Sequence, residues 1–317
     1  MKFFGQGRIV LSKDVDKDNN ECPLKCKAMW TGLLNPETGE VVEAKIYLPE
    51  DPVRKVLIIC PGYRGDFVLQ EQGYADAFCK DGRAIICLRH NGLRVVGDDV
   101  TNYVHCPERQ KRLGKYTGQR RFSVKESNRE VLTAIEALPS IENLQVDIIG
   151  HSWGAQIALE SLKALKASGS SVGKSVRNVI LLGATVDGRP ETYKAYRDYF
   201  ASDAEQDFFR EMDPDEIIND FIDNARDMSN FSSNDIPENV RRVVLINSLG
   251  DGEVNIKEEQ LPFYSRIKDR ANILILPTNP VTITLGGRES EEHDYFGSEV
   301  RGWIEKILAG EKIEKII

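Results

Sequence analysis

Five short apolar runs recur along the chain, at residues 56–60, 84–88, 146–149, 179–182 and 243–246. Each is dense in Val, Ile and Leu, as a parallel strand covered on both faces requires. Between the runs the period changes. After Ser152, residues Ala155, Ala158, Leu159, Leu162 and Leu165 fall at helical spacing, and Gly169 predicts the stop. Residues 298–308 carry a second such stripe in Val300, Trp303, Ile304 and Ile307. Ser123 and Glu126 have the spacing of a capping box, which predicts a helix start before the 146–149 strand. Near the N-terminus, 28–34 and 41–48 flank the turn-forming Asn35-Pro36-Glu37-Thr38-Gly39 and predict antiparallel strands. Alternating strands and helices predict an α/β fold. Its sheet is doubly wound and mostly parallel, with helices on both faces and a mixed N-terminal edge.

One interval is too long for a simple crossover. Residues 187–239 separate two predicted strands and far exceed the usual connection length. Residues 187–238 hold fifteen Asp and Glu against five Lys and Arg, so this stretch is more negative than the whole chain at −8. It also holds Tyr193, Tyr196, Tyr199, Phe200, Phe208, Phe209 and Phe221. Three- and four-residue spacing of these aromatics predicts short amphipathic helices, each ring serving first to pack its helix onto the body. The division that follows is a core of 1–186 and 240–317, with 187–239 inserted as a helical lid or cap.

Composition narrows the class. At 317 residues, with 41% hydrophobic and 29% charged, the chain can bury a sizeable core. Its net charge of −8 argues against nucleic-acid and anionic-membrane partners, which need a basic surface. No apolar run approaches the roughly 20 residues of a membrane span. The N-terminal apolar stretch is too short for a signal peptide, so a cytoplasmic location is expected. Of six cysteines, Cys60 and Cys87 lie inside apolar runs, where a thiol acts as a small hydrophobe. Cys22 and Cys26 find no second Cys or His pair to complete a zinc set. No metal or other cofactor is expected.

The candidate chemistry lies at residues 146–154, VDIIGHSWG. An apolar strand runs into Gly150-His151-Ser152-Trp153-Gly154, a G-x-S-x-G pattern followed by a helix. A sharp strand-to-helix turn holds Ser152 Oγ clear of the chain, and Gly150 and Gly154 permit the close approach it needs. The helix N-terminus then offers N–H groups to an anion beside Ser152.

That arrangement resembles the α/β-hydrolase superfamily, in its serine esterase and thioesterase forms, over roughly residues 40–308. The family orders its triad as nucleophile, acid, histidine. Of His90, His105, His151 and His293, only His293 lies late enough to follow Ser152 and an acid. The resemblance therefore implies Ser152 as nucleophile, His293 as base and Asp251, just past the 243–246 strand, as acid. Glu253 and Asp187 remain alternatives for the acid. It implies an oxyanion hole from the N–H groups of Trp153 and Tyr63. The loop Pro61-Gly62-Tyr63 is similar to the family's His-Gly loop, with Pro61 where His is frequent. His151 is expected to point away from the nucleophile's partner. Either 273–276 or 281–285 is the sheet's last strand.

A serine with an oriented base predicts acyl transfer to water: cleavage of a carboxylic ester or thioester of a small molecule through an acyl-enzyme on Ser152. The same residues also serve lyases and acyltransferases, and the same scaffold serves ligand-binding proteins. The basic stretch 109–125, with Lys111, Arg112, Lys115, Arg120 and Arg121, reads as a solvated face or as a partner of the acidic interval. A substrate anion is its sharper reading.

Overall fold

Alternation within each strand decides the two faces of the sheet. In β4 (Lys55–Cys60), Val56, Ile58 and Cys60 enter one buried cluster, while Leu57 and Ile59 enter another. A strand buried on both faces has no polar positions to spare, hence the unbroken apolar runs. The structure is a computed structural model. It describes residues 10–11, 26–35, 38–62, 74–75, 77–90, 123–138, 141–170, 172–186, 194, 197–201, 212–251, 254–277, 280–285 and 288–313.

The other strands of the main sheet are β1 (Val10–Leu11), β2 (Cys26–Leu34), β3 (Val41–Pro49), β5 (Arg83–Arg89), β6 (Gln145–His151), β7 (Val176–Leu182), β8 (Arg242–Ser248) and β9 (Ala271–Leu276). Their order is β1-β2-β3-β5-β4-β6-β7-β8-β9. The pairs β1–β2, β2–β3 and β3–β5 are antiparallel, and all pairs from β5 to β9 are parallel. The chain leaves β4 toward β5 on one side and returns to β6 on the other. A crevice therefore opens where the carboxyl ends of β4 and β6 lie side by side, at Cys60 and Gly150.

Helices cover both faces. On one lie α1 (Val124–Ser127), α2 (Glu130–Glu136), α3 (Trp153–Ser168), α4 (Arg197–Phe200), α5 (Pro214–Ser229) and α6 (Leu261–Ile267). On the other, α7 (Ser298–Ala309) buries Val300, Ile304 and Ile307 beside Tyr74 and Phe78. Trp303 is only partly buried there. Helix α3 ends at Gly169 in the left-handed conformation, φ 63°. No helix among the described residues is long and apolar enough to cross a membrane.

Two local expectations change. Ser123 does sit at the N-cap of α1, but its side chain makes no cap hydrogen bond. The Val124 N–H donates instead to the Asp220 carboxylate of α5, at 2.7 Å. The side-chain acceptor at this helix start comes from a distant helix rather than from the cap residue. The choice of last strand is also settled: β9 closes the sheet, whereas β10 (Pro280–Leu285) pairs with β11 (Arg288–His293) as a separate antiparallel hairpin.

The interval 187–239 contains a docked helix. Ile217, Ile218, Phe221, Ile222 and Met228 of α5 join the cluster that holds Trp153 and Ile157. Phe221 also stacks on Phe200 of α4, with centroids 5.8 Å apart. A polar seam crosses this contact: Asn128 donates to Asn224, Asn224 to Gln156 of α3, and Gln156 to the Thr185 carbonyl. The lid reading thus rests on 187–213, most of which lies outside the described residues.

Removing one member of a buried chain of amides strands the others. Asn224→Ala is expected to lower unfolding stability by about 1–3 kcal/mol, read by urea denaturation. A change below about 0.5 kcal/mol, the scale of surface substitutions, would mean that α5 is not docked as described.

Candidate functional site

Strand β6 becomes α3 within one residue. Ser152 stands at that corner with φ 50° and ψ −121°, a left-handed backbone that non-glycine residues rarely adopt. Neighbouring backbone holds it there. The Ser152 N–H donates to the Leu182 carbonyl at 2.9 Å, and its carbonyl accepts from Ala155 N–H at 3.0 Å and Thr185 N–H at 3.3 Å. Glycine is needed on both sides. A Cβ on Gly154 would lie 2.2 Å from the Pro61 carbonyl oxygen, and one on Gly150 would lie 2.6 Å from the Gly154 carbonyl oxygen.

The loop after β4 presses on the same corner. A Cβ on Gly62 would lie 3.0 Å from Ser152 Cβ. Trp153 opens α3, so its backbone N–H lies at the positive end of that helix, beside Ser152. Its buried indole sits between His90, with centroids 4.6 Å apart, and Phe221, at 5.2 Å. Tyr63 lies outside the described residues.

Asp251 comes three residues past the end of β8. One carboxylate oxygen accepts from Val254 N–H at 3.1 Å, and the other accepts from the Tyr295 hydroxyl at 2.7 Å. Two donors from different segments fix its orientation. Tyr295 lies two residues beyond His293, which ends β11. The His151 ring meets the same segment, 4.8 Å from Phe296 edge-on and 5.8 Å from Tyr295. Tyr295 itself is buried against Gly183, where a Cβ would come within 2.5 Å of its ring. Three stretches of chain therefore meet at Tyr295: the elbow, the acid loop and the segment carrying His293. The His293 side chain, and the alternative acids Glu253 and Asp187, lie outside the described residues. So do His105 and most of the basic stretch 109–125.

Two features escaped the sequence. The apolar wall of Tyr295 and Phe296 desolvates His151 and pushes its pKa down to about 4. Its role is packing against the His293 segment. The second is a buried pair. His90 Nδ1 lies 2.6 Å from Glu130 Oε2, with side chains 0% and 1% exposed. His90 Nε2 lies 3.0 Å from the Pro61 carbonyl and 3.2 Å from that of Gly62. His90 was visible as a strand-end residue, but nothing local links it to Glu130. Burial, then the charge of Glu130, raises the Cys60 thiol well above its usual range, so Cys60 stays a protonated hydrophobe. Among the described residues no group of three His, Cys, Asp or Glu could hold a metal ion.

Comparison with known proteins fits this geometry. A family model described as "Alpha/beta hydrolase of unknown function (DUF900)" matches residues 47–210. No curated protein matches the chain. Among solved structures, a putative hydrolase from Agrobacterium vitis S4 superposes with a TM-score of 0.58 at 15% identity, covering 90% of this chain and 98% of that one. An esterase from Pyrococcus furiosus gives 0.56 at 14%, covering 95% and 97%. A thermostable carboxyl esterase from Bacillus coagulans gives 0.51 at 13%, covering 90% and 99%. At such identities these likenesses speak for the fold.

The position of His151 has a consequence for stability. Its folded pKa of about 4 lies below the 6.5 of a free imidazole. As pH falls, the unfolded chain takes up this proton first. The stability tied to neutral His151 is complete above 6.5 and is lost as pH falls through about 4. Urea unfolding of wild type and His151→Phe over that window is expected to show a steeper loss for wild type. Parallel curves would contradict the assignment.

Proposed function

The chain belongs to the DUF900 family of α/β hydrolases, and from that premise we propose that it is a serine hydrolase cleaving a carboxylic ester or thioester of a small molecule. Ser152 Oγ forms the bond to the acyl carbon while His293 takes its proton. Asp251 holds the imidazole in the required tautomer. The N–H groups of Trp153 and Tyr63 donate hydrogen bonds to the acyl oxygen as it becomes an oxyanion. The carbonyl re-forms, the bond to the leaving oxygen or sulfur breaks, and His293 returns the proton to that atom. Water, deprotonated by His293, then bonds to the acyl carbon, the bond to Ser152 Oγ breaks, His293 returns the proton to Oγ, and the carboxylic acid leaves.

One observation carries this reading: the elbow, Asp251 and the segment bearing His293 converge on Tyr295. The strained Ser152 backbone supports it, since positive φ at a serine between close-packed glycines has a use in presenting Oγ. Neighbours named as esterases favour an oxygen ester among the acyl derivatives such machinery can cleave. In the described part of the acidic interval, the carboxylates of α5 at Asp215, Glu216, Asp223 and Asp227 are exposed. They leave substrate choice to the crevice itself.

Intact-mass labelling with a fluorophosphonate tests the nucleophile. A single adduct is expected on wild type and none on Ser152→Ala. No adduct on folded wild type would favour a ligand-binding role on the same scaffold. For the acid, Asp251→Asn is expected to lower kcat on an ester substrate on the order of 10⁴-fold, as loss of the orienting carboxylate does elsewhere. A small effect would move the role to Glu253 or Asp187.

A further inference from the structure

His90 and Glu130 are two ionisable side chains sealed from water, and the mechanism above uses neither. Taking such a pair out of solvent is expensive, and apolar residues of similar volume commonly replace one without loss of stability. Packing alone is therefore a poor reason for this pair. Its contacts suggest a better one. Carbonyl oxygens only accept, so Nε2, within reach of the Pro61 and Gly62 carbonyls, carries a proton and donates. Glu130, the first residue of α2, fixes Nδ1 from the other side. The ring is thus held at both nitrogens, and its plane and tautomer are set.

What the ring holds is the loop that presses on Ser152. A Cβ on Gly62 would lie 3.0 Å from Ser152 Cβ, so the two carbonyls that His90 holds set how the loop sits against that serine. The same imidazole lies against Trp153, whose backbone supplies one oxyanion donor. One side chain thus touches both the loop beside Ser152 and the residue that follows that serine. We propose that His90, braced by Glu130, is a positioning residue for the oxyanion hole: it anchors the Pro61 and Gly62 carbonyls and packs on Trp153, and so holds the 61–62 loop and the start of α3 against Ser152 in the arrangement that stabilising an acyl oxyanion requires. This inference rests on the serine-hydrolase reading.

Two substitutions divide the ring between them. His90→Gln keeps an N–H where Nε2 stands and so retains a donor for the loop. His90→Asn reaches only the Nδ1 position and Glu130. With an ester substrate, His90→Asn is expected to lower kcat on the order of a hundred-fold with KM little changed, the effect of a misdirected oxyanion donor. His90→Gln is expected to recover at least a tenth of wild-type kcat, again at constant KM. Urea midpoints establish that each variant is folded. A folded His90→Asn with wild-type kcat would overturn the proposal, as would equal kcat for the two variants or a loss expressed in KM. Should Asn fail to fold, Glu130→Leu, which frees Nδ1 and leaves an apolar residue in the buried site, is expected to reduce kcat at constant KM, and wild-type kcat there overturns it. Fluorophosphonate labelling of wild type separates the two readings. No Ser152 adduct overturns the hydrolase reading and this one with it. An adduct together with unchanged kcat in the His90 variants overturns this one alone.

Discussion

The structure depends on how closely two strand ends approach. Loop residues Pro61 and Gly62 lie against the corner where β6 becomes α3, and a Cβ at Gly154, Gly150 or Gly62 would be within 3.0 Å of another atom. Contact at that distance leaves Ser152 no ordinary backbone conformation. Its positive φ, a strain of about 1–3 kcal/mol, persists only because the surroundings over-determine it. They do so through backbone groups: the Leu182 carbonyl on one side, and the Ala155 and Thr185 N–H groups on the other. The same geometry presents Oγ to the crevice and sets it beside a helix N-terminus, so the constraint that costs stability is the one that can do chemistry.

Electrostatic choices around this corner are consistent with that view. His151 is kept neutral by its apolar neighbours and binds the elbow to the 295–296 turn by ring contact. His90 and Glu130 are ionisable groups placed where water cannot screen them, and each must be satisfied by the other and by the loop. Asp251, less deeply buried, accepts two hydrogen bonds from different segments, which fix its orientation. Four titratable residues near Ser152 thus share three environments, each traceable to named neighbours.

Much of the fold was legible along the chain, for a physical reason. Strands covered on both faces must be apolar throughout, so 56–60, 84–88, 146–149, 179–182 and 243–246 stand out and recur within β4 to β8. The elbow was legible because its turn demands small residues at fixed spacing. Features decided by distant partners were not. Asp220 displaces the Ser123 cap from 96 residues away, and no local rule contains it. Runs 273–276 and 281–285 both have the composition of a strand, and only pairing assigns the first to the sheet and the second to a hairpin. Likewise His90 and Glu130, 40 residues apart, and Asp251 and Tyr295, 44 apart, are joined by topology alone.

In the acidic interval, charge and packing are divided between the two faces of one helix. The interval's length and its placement before β8 are what suggest a lid. Yet the carboxylates of α5 are there because one face of a docked helix must be soluble, while the other supplies Ile217, Phe221 and Met228 to the core. Its contact with the site is made by uncharged groups. Asn224 holds Gln156, Gln156 holds the Thr185 carbonyl, and the Thr185 N–H holds the Ser152 carbonyl. A chain of four residues therefore runs from a helix of the inserted interval to the backbone of the strained serine. The insertion and the elbow share one hydrogen-bond network, so helix α5 helps to maintain the backbone geometry of Ser152.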